Sequence, residues 1–232
     1  TVEDVALFAK SLIKKDLYDP STIHYAADEM LNVCKKGPIY EPKFIFYKTK
    51  NWKNIDKESQ KSFDFFIKTF SKNIEVFDTP SYFDDIPKYH KIIHETDMAN
   101  NFQGYYKKSK KHLSKEMVSA IERGLKYSAK EYAEAIDFMK RSYESYKEVF
   151  EDYHGVLTPS SAGVAPKGLK STGSPEFCTI WTYMGLPSIS LPLLVGENNL
   201  PLGIQLIGDK LDDLRFLGVA NWLEKNCKKY AK

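Results

Sequence analysis

Two histidines lie four residues apart in a segment that the sequence predicts to be helical. His90 and His94 are followed by Glu95, and two imidazoles at this spacing can bind one metal ion from the same helix face. The zinc-protease pattern requires glutamate directly after the first histidine, and Lys91 occupies that position. The sequence indicates no third ligand. We therefore expect a partly exposed helix surface here and no metal site.

Cysteine, serine and histidine catalysts find no support in the motifs either. A reactive thiolate needs a base or a positive environment, and the neighbours of Cys178 in residues 176–180 provide neither. We expect Cys178 to be a small buried apolar residue and His154 to be a loop residue. No serine lies in a Gly-x-Ser-x-Gly elbow, and no glycine-rich turn has the form that cradles phosphate. Motif chemistry alone assigns no active site and no cofactor.

Composition indicates a globular protein and weighs against several kinds of partner. Of the 232 residues 42% are hydrophobic, and 34 basic residues nearly balance 31 acidic ones. Because the basic residues are almost all lysine and the net charge is +3, we expect solvated surface, including the lysines at 107–111, and no nucleic-acid partner. The apolar runs are shorter than the roughly 20 residues that cross a bilayer, so no membrane partner is expected. Three widely spaced cysteines favour the reducing cytoplasm.

The spacing of apolar residues along the chain predicts strands that alternate with helices. Strands are predicted at 43–47 and 74–77, with a helix over 63–70 between them. Strand, helix, strand is the pattern of a crossover unit, which predicts a sheet covered by helices. Residues 81–150 are predicted to be mostly helical. Further strands are predicted at 155–158, 188–195 and 202–207, and a last helix after Asp212 or Asp213.

The first predicted helix opens at the first residue of the chain. Thr1 and Asp4 have the form of a capping box. An amphipathic helix of about four turns follows, with Val5, Phe8 and Leu12 among its apolar positions. Because a natural start usually leaves a few loose residues first, we expect the chain to begin within a domain.

A second capping box precedes a long apolar stripe. Ser128 and Glu131 form the box, and aromatic or apolar residues recur at steps of four and three from Tyr132 to Phe150. This stripe predicts one continuous helix of six turns that lies across a sheet. A coiled coil is the alternative interpretation of the same pattern.

A loop of about twenty residues is predicted between the strands at 155–158 and 188–195. Residues 158–177 are rich in proline, glycine and serine. Loops longer than about 15 residues inside compact domains are usually functional or disordered. This loop is therefore a candidate for a functional site.

Five separated segments carry a resemblance to a known family. Thr-Gly-Ser-Pro at 172–175 precedes Gly-Leu-Pro-Ser-Ile-Ser-Leu-Pro at 185–192 and Leu-Pro-Leu-Gly-Ile-Gln-Leu-Ile-Gly at 200–208. Two earlier segments are Thr-Val-Glu-Asp-Val-Ala at 1–6 and a strand ending in Thr-Pro at 153–159. In their order along the chain, from 1–6 to 200–208, these segments resemble the carboxyl-terminal half of the amidase signature family.

The resemblance implies a fold and an activity. The fold would be α/β, with a mixed β-sheet covered by helices on both faces and incomplete in this chain, so that residues 1–232 form the carboxyl-terminal part of a single amidase domain. The activity would be hydrolysis of a carboxamide to a carboxylate plus ammonia or amine. In the family a serine nucleophile, a second serine and a lysine base precede the Thr-Val-Glu-Asp helix, and this sequence lacks that region. No catalytic residue carries over, and we expect this chain to be inactive without the missing amino-terminal half.

The resemblance also implies residues that contact the substrate, which would be a small-molecule or peptide-like amide. Thr172, Gly173, Ser174 and Phe177 occupy the loop that reaches the acyl or leaving-group side of the family's pocket. Ser174 stands where aspartate is common in the family. The stretch 98–106 is a further candidate for the pocket, by position only.

Two other functions stay open. One is the amidase-like subunit of the amidotransferase that releases ammonia from glutamine for aminoacyl-tRNA. Its typical Gly-Tyr-Tyr-Asp-Ala-Tyr-Tyr helix and Asn-Leu-Ala-Gly turn are replaced here by Ser-Ala-Lys-Glu-Tyr-Ala at 128–133 and Thr-Tyr-Met-Gly at 182–185. The other is a non-catalytic protein with half an amidase fold, whose exposed sheet edge would need a partner. A homodimer also stays open.

Overall fold

The computed structural model describes residues 1–19 and 22–227. The α-helices are α1 (Val2–Leu12), α2 (Met30–Lys36), α3 (Lys57–Thr69), α4 (Ile86–Asn101), α5 (Gln103–Ser109), α6 (Lys115–Gly124), α7 (Ala129–Glu144), α8 (Val149–Asp152), α9 (Thr179–Met184) and α10 (Asp213–Cys227). The β-strands are β1 (Phe44–Tyr47), β2 (Ile74–Phe77), β3 (Gly155–Pro159), β4 (Ser188–Val195) and β5 (Pro201–Ile207). Within the described ranges, no helix has both the length and the apolar character that a bilayer crossing requires.

The described residues form two compact units. The sheet unit comprises Thr1–Thr79, Glu148–Trp181 and the described residues from Gly185 onward, whereas the helical unit comprises Pro80–Lys147 and Thr182–Met184. The assignment of the whole chain to one amidase domain stays a prediction.

The sheet unit is built on a mixed five-stranded sheet in the order β2-β1-β3-β5-β4. β1 pairs in parallel with β2 and β3, whereas β5 runs antiparallel to both β3 and β4. All residues of β1 and of β3 are buried, as expected for parallel strands with side chains covered on both faces. The predicted α/β class with a mixed sheet is confirmed.

The predicted crossover between β1 and β2 is also present. Its helix, α3, is capped by Asp56, whose carboxylate accepts hydrogen bonds from the backbone N–H groups of Glu58 and Ser59. Phe63 and Phe66 are buried one helical turn apart. Their burial holds α3 against the sheet, and β1 and β2 are parallel as the pattern predicts.

The first helix has the predicted cap but buries a different face. Thr1 and Asp4 form the capping box, whereas the side chains of α1 that are fully buried are Val2 and Ala6. Phe8 and Leu12 are 67% and 64% exposed. The prediction erred because α1 carries apolar residues on more than one side, and helical spacing alone cannot decide which side meets the core.

The long stripe of residues 132–150 is not one helix. The capping box at Ser128 is confirmed, but α7 ends at Glu144 and α8 starts only at Val149. Between them the N–H groups of Tyr146 and Lys147 both donate to the carbonyl of Tyr143, which closes a turn. No glycine or proline marks this break, so the apolar period continues through it. α7 packs against α4 in the helical unit.

α4 and α6 approach each other closely in the helical unit. A Cβ atom at Gly124 would lie 1.9 Å from the carbonyl oxygen of Glu95. The buried Glu95 carboxylate accepts hydrogen bonds from Arg123 Nε at 2.8 Å and from the Tyr127 hydroxyl at 3.2 Å. The lack of a side chain at Gly124 therefore allows the two helices to cross closely, and the hydrogen bonds of the buried Glu95 carboxylate hold them there.

The strand β4 spans the predicted residues 188–195 and has a proline in its interior. Gly185 has φ +69°, a conformation that favours glycine, and makes a tight turn before the strand. Pro192 does not end β4, which continues to Val195 through a register shift between Leu191 and Leu194. Because β4 is an edge strand, a proline at such an irregularity removes no essential hydrogen bond.

Candidate functional site

The carboxyl ends of β1 and β3 lie at the same edge of the sheet. The strands are parallel, and ligands of α/β proteins commonly bind outside the carboxyl ends of parallel strands. After β3 the chain enters residues 160–178, named here the β3–α9 loop. After β1, the hydroxyl of Thr49 is buried and makes no hydrogen bond within the described residues, which is unusual for a buried polar group. This edge is the candidate functional site.

A buried glutamine anchors the end of the β3–α9 loop to the sheet. Gln205, on β5, is 4% exposed. Its Nε2 donates to the Thr158 hydroxyl at 3.1 Å and to the Phe177 carbonyl at 3.1 Å. One side-chain amide therefore joins three parts of the site: β5, the end of β3 and the last turn of the loop.

Two asparagines that follow β1 hold the loop from another direction. Asn51 Nδ2 donates to the Glu176 carbonyl at 3.2 Å, and Asn54 Nδ2 donates to the Glu176 carboxylate at 2.7 Å. Both belong to the 3-10 turn Lys50–Asn54. The position of Glu176 is therefore set by residues that directly follow the carboxyl end of β1.

Two serine hydroxyls meet at the start of the loop. Ser160 Oγ and Ser190 Oγ are 2.8 Å apart. A Cβ at Gly203 would lie 2.7 Å from Ser190 Oγ and 2.8 Å from Ser160 Oγ, so glycine at this position makes room for the pair. Among the hydrogen bonds of the described residues, none joins either hydroxyl to a basic side chain. The pair can bind a polar group, but it lacks the base that would activate a serine nucleophile.

Three of the predicted substrate-binding residues form an exposed stretch. Thr172, Gly173 and Ser174 are all exposed in the β3–α9 loop. Gly173 has φ +91°, a conformation that favours glycine, and its N–H donates to Ser171 Oγ. Ser174 Oγ accepts from the N–H of Glu176 at 3.3 Å. Their side chains are available to a ligand, and their binding role stays a prediction.

Phe177, the fourth predicted residue, is placed differently. Its side chain is 2% exposed and belongs to the hydrophobic core of the sheet unit. Its contribution to the loop is the backbone carbonyl that Gln205 binds. Gln205, Asn51 and Asn54 were not among the residues predicted from the sequence, whereas Phe177 was. Gln205 lies in a segment already quoted for the resemblance, whereas the two asparagines stand outside every motif.

An open cavity of about 810 Å³ lies beside the first half of the loop. Residues 162–167 line one side, and Asp56 and Glu197 contribute carboxylates. Burial alone would raise the pKa of Asp56, but hydrogen bonds from Ser59 and from the N–H of Glu58 outweigh it and lower the pKa. Asp56 is therefore ionised at neutral pH at the rim of this cavity.

His90, His94 and His154 are engaged in packing or hydrogen bonds within the protein. Burial, together with the charge of His94, lowers the pKa of half-buried His90, and the two rings lie 5.7 Å apart on α4. Nowhere in residues 1–19 and 22–227 do three His, Cys, Asp or Glu side chains gather closely enough to hold a metal. His154 Nδ1 accepts the Lys43 N–H at 3.0 Å, and the ring packs on Tyr40.

The cysteine thiols are expected to differ in their reactivity towards iodoacetamide at pH 8. Burial raises the pKa of Cys34 to about 11 and that of Cys227 to about 12. Burial also raises the pKa of Cys178, but this residue is half-buried rather than fully buried as expected from the sequence. Because only the thiolate reacts, Cys178 should be alkylated first, and Cys34 and Cys227 only after unfolding. Peptide mass spectrometry over time would check this order. Equal rates for Cys178 and Cys227 would contradict it.

Comparison with known proteins identifies the family. The amidase family model matches residues 1–217. The A subunit of the glutamyl-tRNA(Gln) amidotransferase of Alkaliphilus metalliredigens is 35% identical over 101 residues, which are 40% of this chain and 21% of that protein. Fatty acid amide hydrolase of Medicago truncatula is 30% identical over 113 residues, 44% of this chain and 19% of that protein.

A solved structure shows the same fold. A bacterial aryl acylamidase of the amidase signature family superposes with a TM-score of 0.74 at 17% identity, over 98% of this chain and 52% of that one. The chain thus spans about half the length of this structural relative, and each sequence alignment covers about a fifth of the curated relative. The match over residues 1–217 nevertheless includes all five strands and the whole β3–α9 loop. The chain belongs to the amidase family.

Proposed function

We propose that this chain is the carboxyl-terminal part of a single amidase domain, and that the whole protein hydrolyses a small or peptide-like carboxamide. The proposal rests on the family match over residues 1–217 and on one structural observation. That observation is a β3–α9 loop fixed at the carboxyl edge of the sheet by Gln205, Asn51 and Asn54. Such a loop can present exposed residues 172–174 to a substrate in a constant position.

In this proposal the chain contributes substrate binding and scaffold, and another segment contributes the chemistry. Amide hydrolysis to a carboxylate plus ammonia or amine needs a nucleophile and a base that accepts its proton. The Ser160–Ser190 pair has no basic partner among the described residues. We infer that a serine nucleophile, a second serine and a neutral lysine lie in the missing amino-terminal half of the same enzyme.

A covalent serine-hydrolase probe, such as a fluorophosphonate, is expected to label the full-length protein and to leave residues 1–232 unlabelled. In another serine hydrolase the loss of nucleophile or base lowers turnover about a millionfold, so no amidase activity should be measurable for this chain. Labelling is read by gel fluorescence, with heat-denatured full-length protein as the control for non-specific reaction. A labelled residue within 1–232 would contradict the proposed position of the nucleophile.

The amidase-like subunit of a glutamine-dependent amidotransferase is the second candidate. Its support is the 35% identity to the A subunit of a glutamyl-tRNA(Gln) amidotransferase. Such a protein would release ammonia from glutamine and depend on partner chains. Ammonia release that requires the other amidotransferase chains would favour this candidate, whereas hydrolysis of simple aryl or alkyl amides by the full-length protein alone would favour the first.

A non-catalytic protein with half an amidase fold, which needs a partner chain, is the third candidate. It predicts that the natural full-length product does not react with the probe and binds another chain, which light scattering would detect. A homodimer is a separate proposal that fits any of the three candidates. For all three candidates we propose a cytoplasmic location. The free thiols of Cys34, Cys178 and Cys227 support it.

A further inference from the structure

A second cavity, of about 350 Å³, lies within the helical unit. Its apolar surface comes from three helices: Ile93, Met98 and Phe102 in or at the end of α4, Met139 in α7, and Tyr183 in the last turn of α9. This volume is at the lower end of the range for small-molecule sites, which are mostly apolar with a few polar groups. The cavity therefore suits a compact ligand with an apolar body.

The aromatic wall of the cavity is held in place by a buried hydrogen bond. The Tyr183 hydroxyl donates to the carbonyl of Ala135 at 2.6 Å, and the side chain is 3% exposed. The ring also packs against Phe138 and His90. A wall fixed on several sides needs little rearrangement to receive a ligand.

The cavity is lined by the Asp97 carboxylate and by the imidazoles of His90 and His94. Among the described residues that line it, Asp97 is the one Asp, Glu, Lys or Arg. The Asp97 carboxylate is exposed and is oriented by the Tyr132 hydroxyl, which donates to Oδ1 at 3.0 Å. Burial, and to a smaller extent the neighbouring His94 imidazole, lowers the pKa of His90, so the His90 ring is neutral at neutral pH. A carboxylate beside aromatic rings favours a cation over an anion.

We propose that this cavity binds a small primary amine with an aromatic or aliphatic body. The ammonium group lies at Asp97, and the body lies against Met139, Phe102 and the Tyr183 ring. Every residue that forms the site belongs to this chain and to the helical unit. Met98 and Phe102 also lie in the stretch 98–106, which the family resemblance made a candidate for the substrate pocket, but the binding test below needs no hydrolysis, so its outcome is separate from that of the amidase proposal.

Three probes of similar size and different charge test the site in the full-length protein. Benzylamine is a cation at neutral pH, benzyl alcohol is its neutral counterpart, and benzoate is an anion. Isothermal titration calorimetry is expected to show benzylamine binding about tenfold more tightly than benzyl alcohol, and no binding of benzoate. Equal binding of benzylamine and benzoate, or binding of neither benzylamine nor benzyl alcohol, would overturn the proposal.

Variants then assign the binding to this cavity. Asp97→Asn keeps an oxygen for Tyr132 and removes the charge, so it should weaken benzylamine binding about tenfold and leave benzyl alcohol unchanged. Met139→Trp fills the cavity and should abolish binding of both, with circular dichroism showing whether the helices remain folded. Asp137→Asn is the matched control, since Asp137 pairs with Arg141 on the exposed side of α7. An unchanged affinity of Asp97→Asn for benzylamine would overturn the proposal whatever Met139→Trp does.

Discussion

Replacing Gly124 with alanine is expected to destabilise the helical unit by about 3 kcal/mol, the upper end of the usual cost of overpacking. The new methyl group would lie 1.9 Å from the carbonyl oxygen of Glu95 and 2.5 Å from its carbonyl carbon. These are backbone atoms of α4, so no side-chain rotation can relieve the contact. α4 and α6 must separate, which also stretches the hydrogen bonds of the buried Glu95 carboxylate to Arg123 and Tyr127.

The control for this prediction is the same substitution at another helical glycine. Gly104 lies in α5, and a Cβ there would have no heavy atom within 4 Å. Gly104→Ala should leave stability unchanged or raise it by up to about 1 kcal/mol, because alanine restricts the unfolded chain. Urea unfolding followed by circular dichroism gives both free energies. A loss below about 1 kcal/mol for Gly124→Ala would be too small for the close helix approach described here.

Replacing Gln205 with leucine is expected to cost about 3 kcal/mol and to release the β3–α9 loop, because a buried acceptor left without its donor carries a full desolvation penalty. The Phe177 carbonyl and the Thr158 hydroxyl would both lose the Gln205 amide. Gln205→Glu keeps the shape of the side chain but cannot donate as a carboxylate, so the same direction of change is expected.

Hydrogen exchange measures the loop directly. In Gln205→Leu, the backbone amides of residues 172–178 should exchange faster than in the natural chain, while those of α7 in the helical unit should not change. Gln103→Leu, at an exposed position of α5, is the control and should alter stability by less than about 0.5 kcal/mol. Unchanged exchange in residues 172–178 of Gln205→Leu would show that the glutamine does not anchor the loop.

Much of the sheet unit could be predicted because its signals are local. The aromatic run of β1 and the apolar residues of β5 are bounded by turns, and each of the five strands lies within one or two residues of its predicted place. The capping boxes at Thr1 and Ser128 depend on residues three apart, so the sequence contains all the information that they need.

The errors arise where the outcome depends on distant residues. Which side of α1 meets the core is set by its packing on α2 and α10, and nothing within residues 1–12 specifies that packing. Tyr146 and Phe150 are both buried although the break after Glu144 means that they do not share one helix. The spacing of apolar residues therefore continues across the break, and the break cannot be recognised from that spacing.

The candidate site shows the same limit. Thr172, Gly173 and Ser174 were found through a local motif. The hydrogen bonds by which Gln205, Asn51 and Asn54 hold this loop could not be predicted, because these side chains reach the loop from β5 and from the turn after β1. Only the three-dimensional arrangement of strands shows which polar residues reach the loop.

The pairing of β1 with β3 has a consequence for how the chain is made. Lys43 and His154, which hydrogen-bond where these strands begin, are 111 positions apart. During synthesis β1 and β2 emerge long before β3, so one lateral edge of β1 has no strand to pair with until the helical segment has left the ribosome. An apolar strand with free main-chain groups is a site of aggregation. A chaperone that shields Phe44–Tyr47 during this interval would therefore raise the yield of folded protein more than one that acts after release.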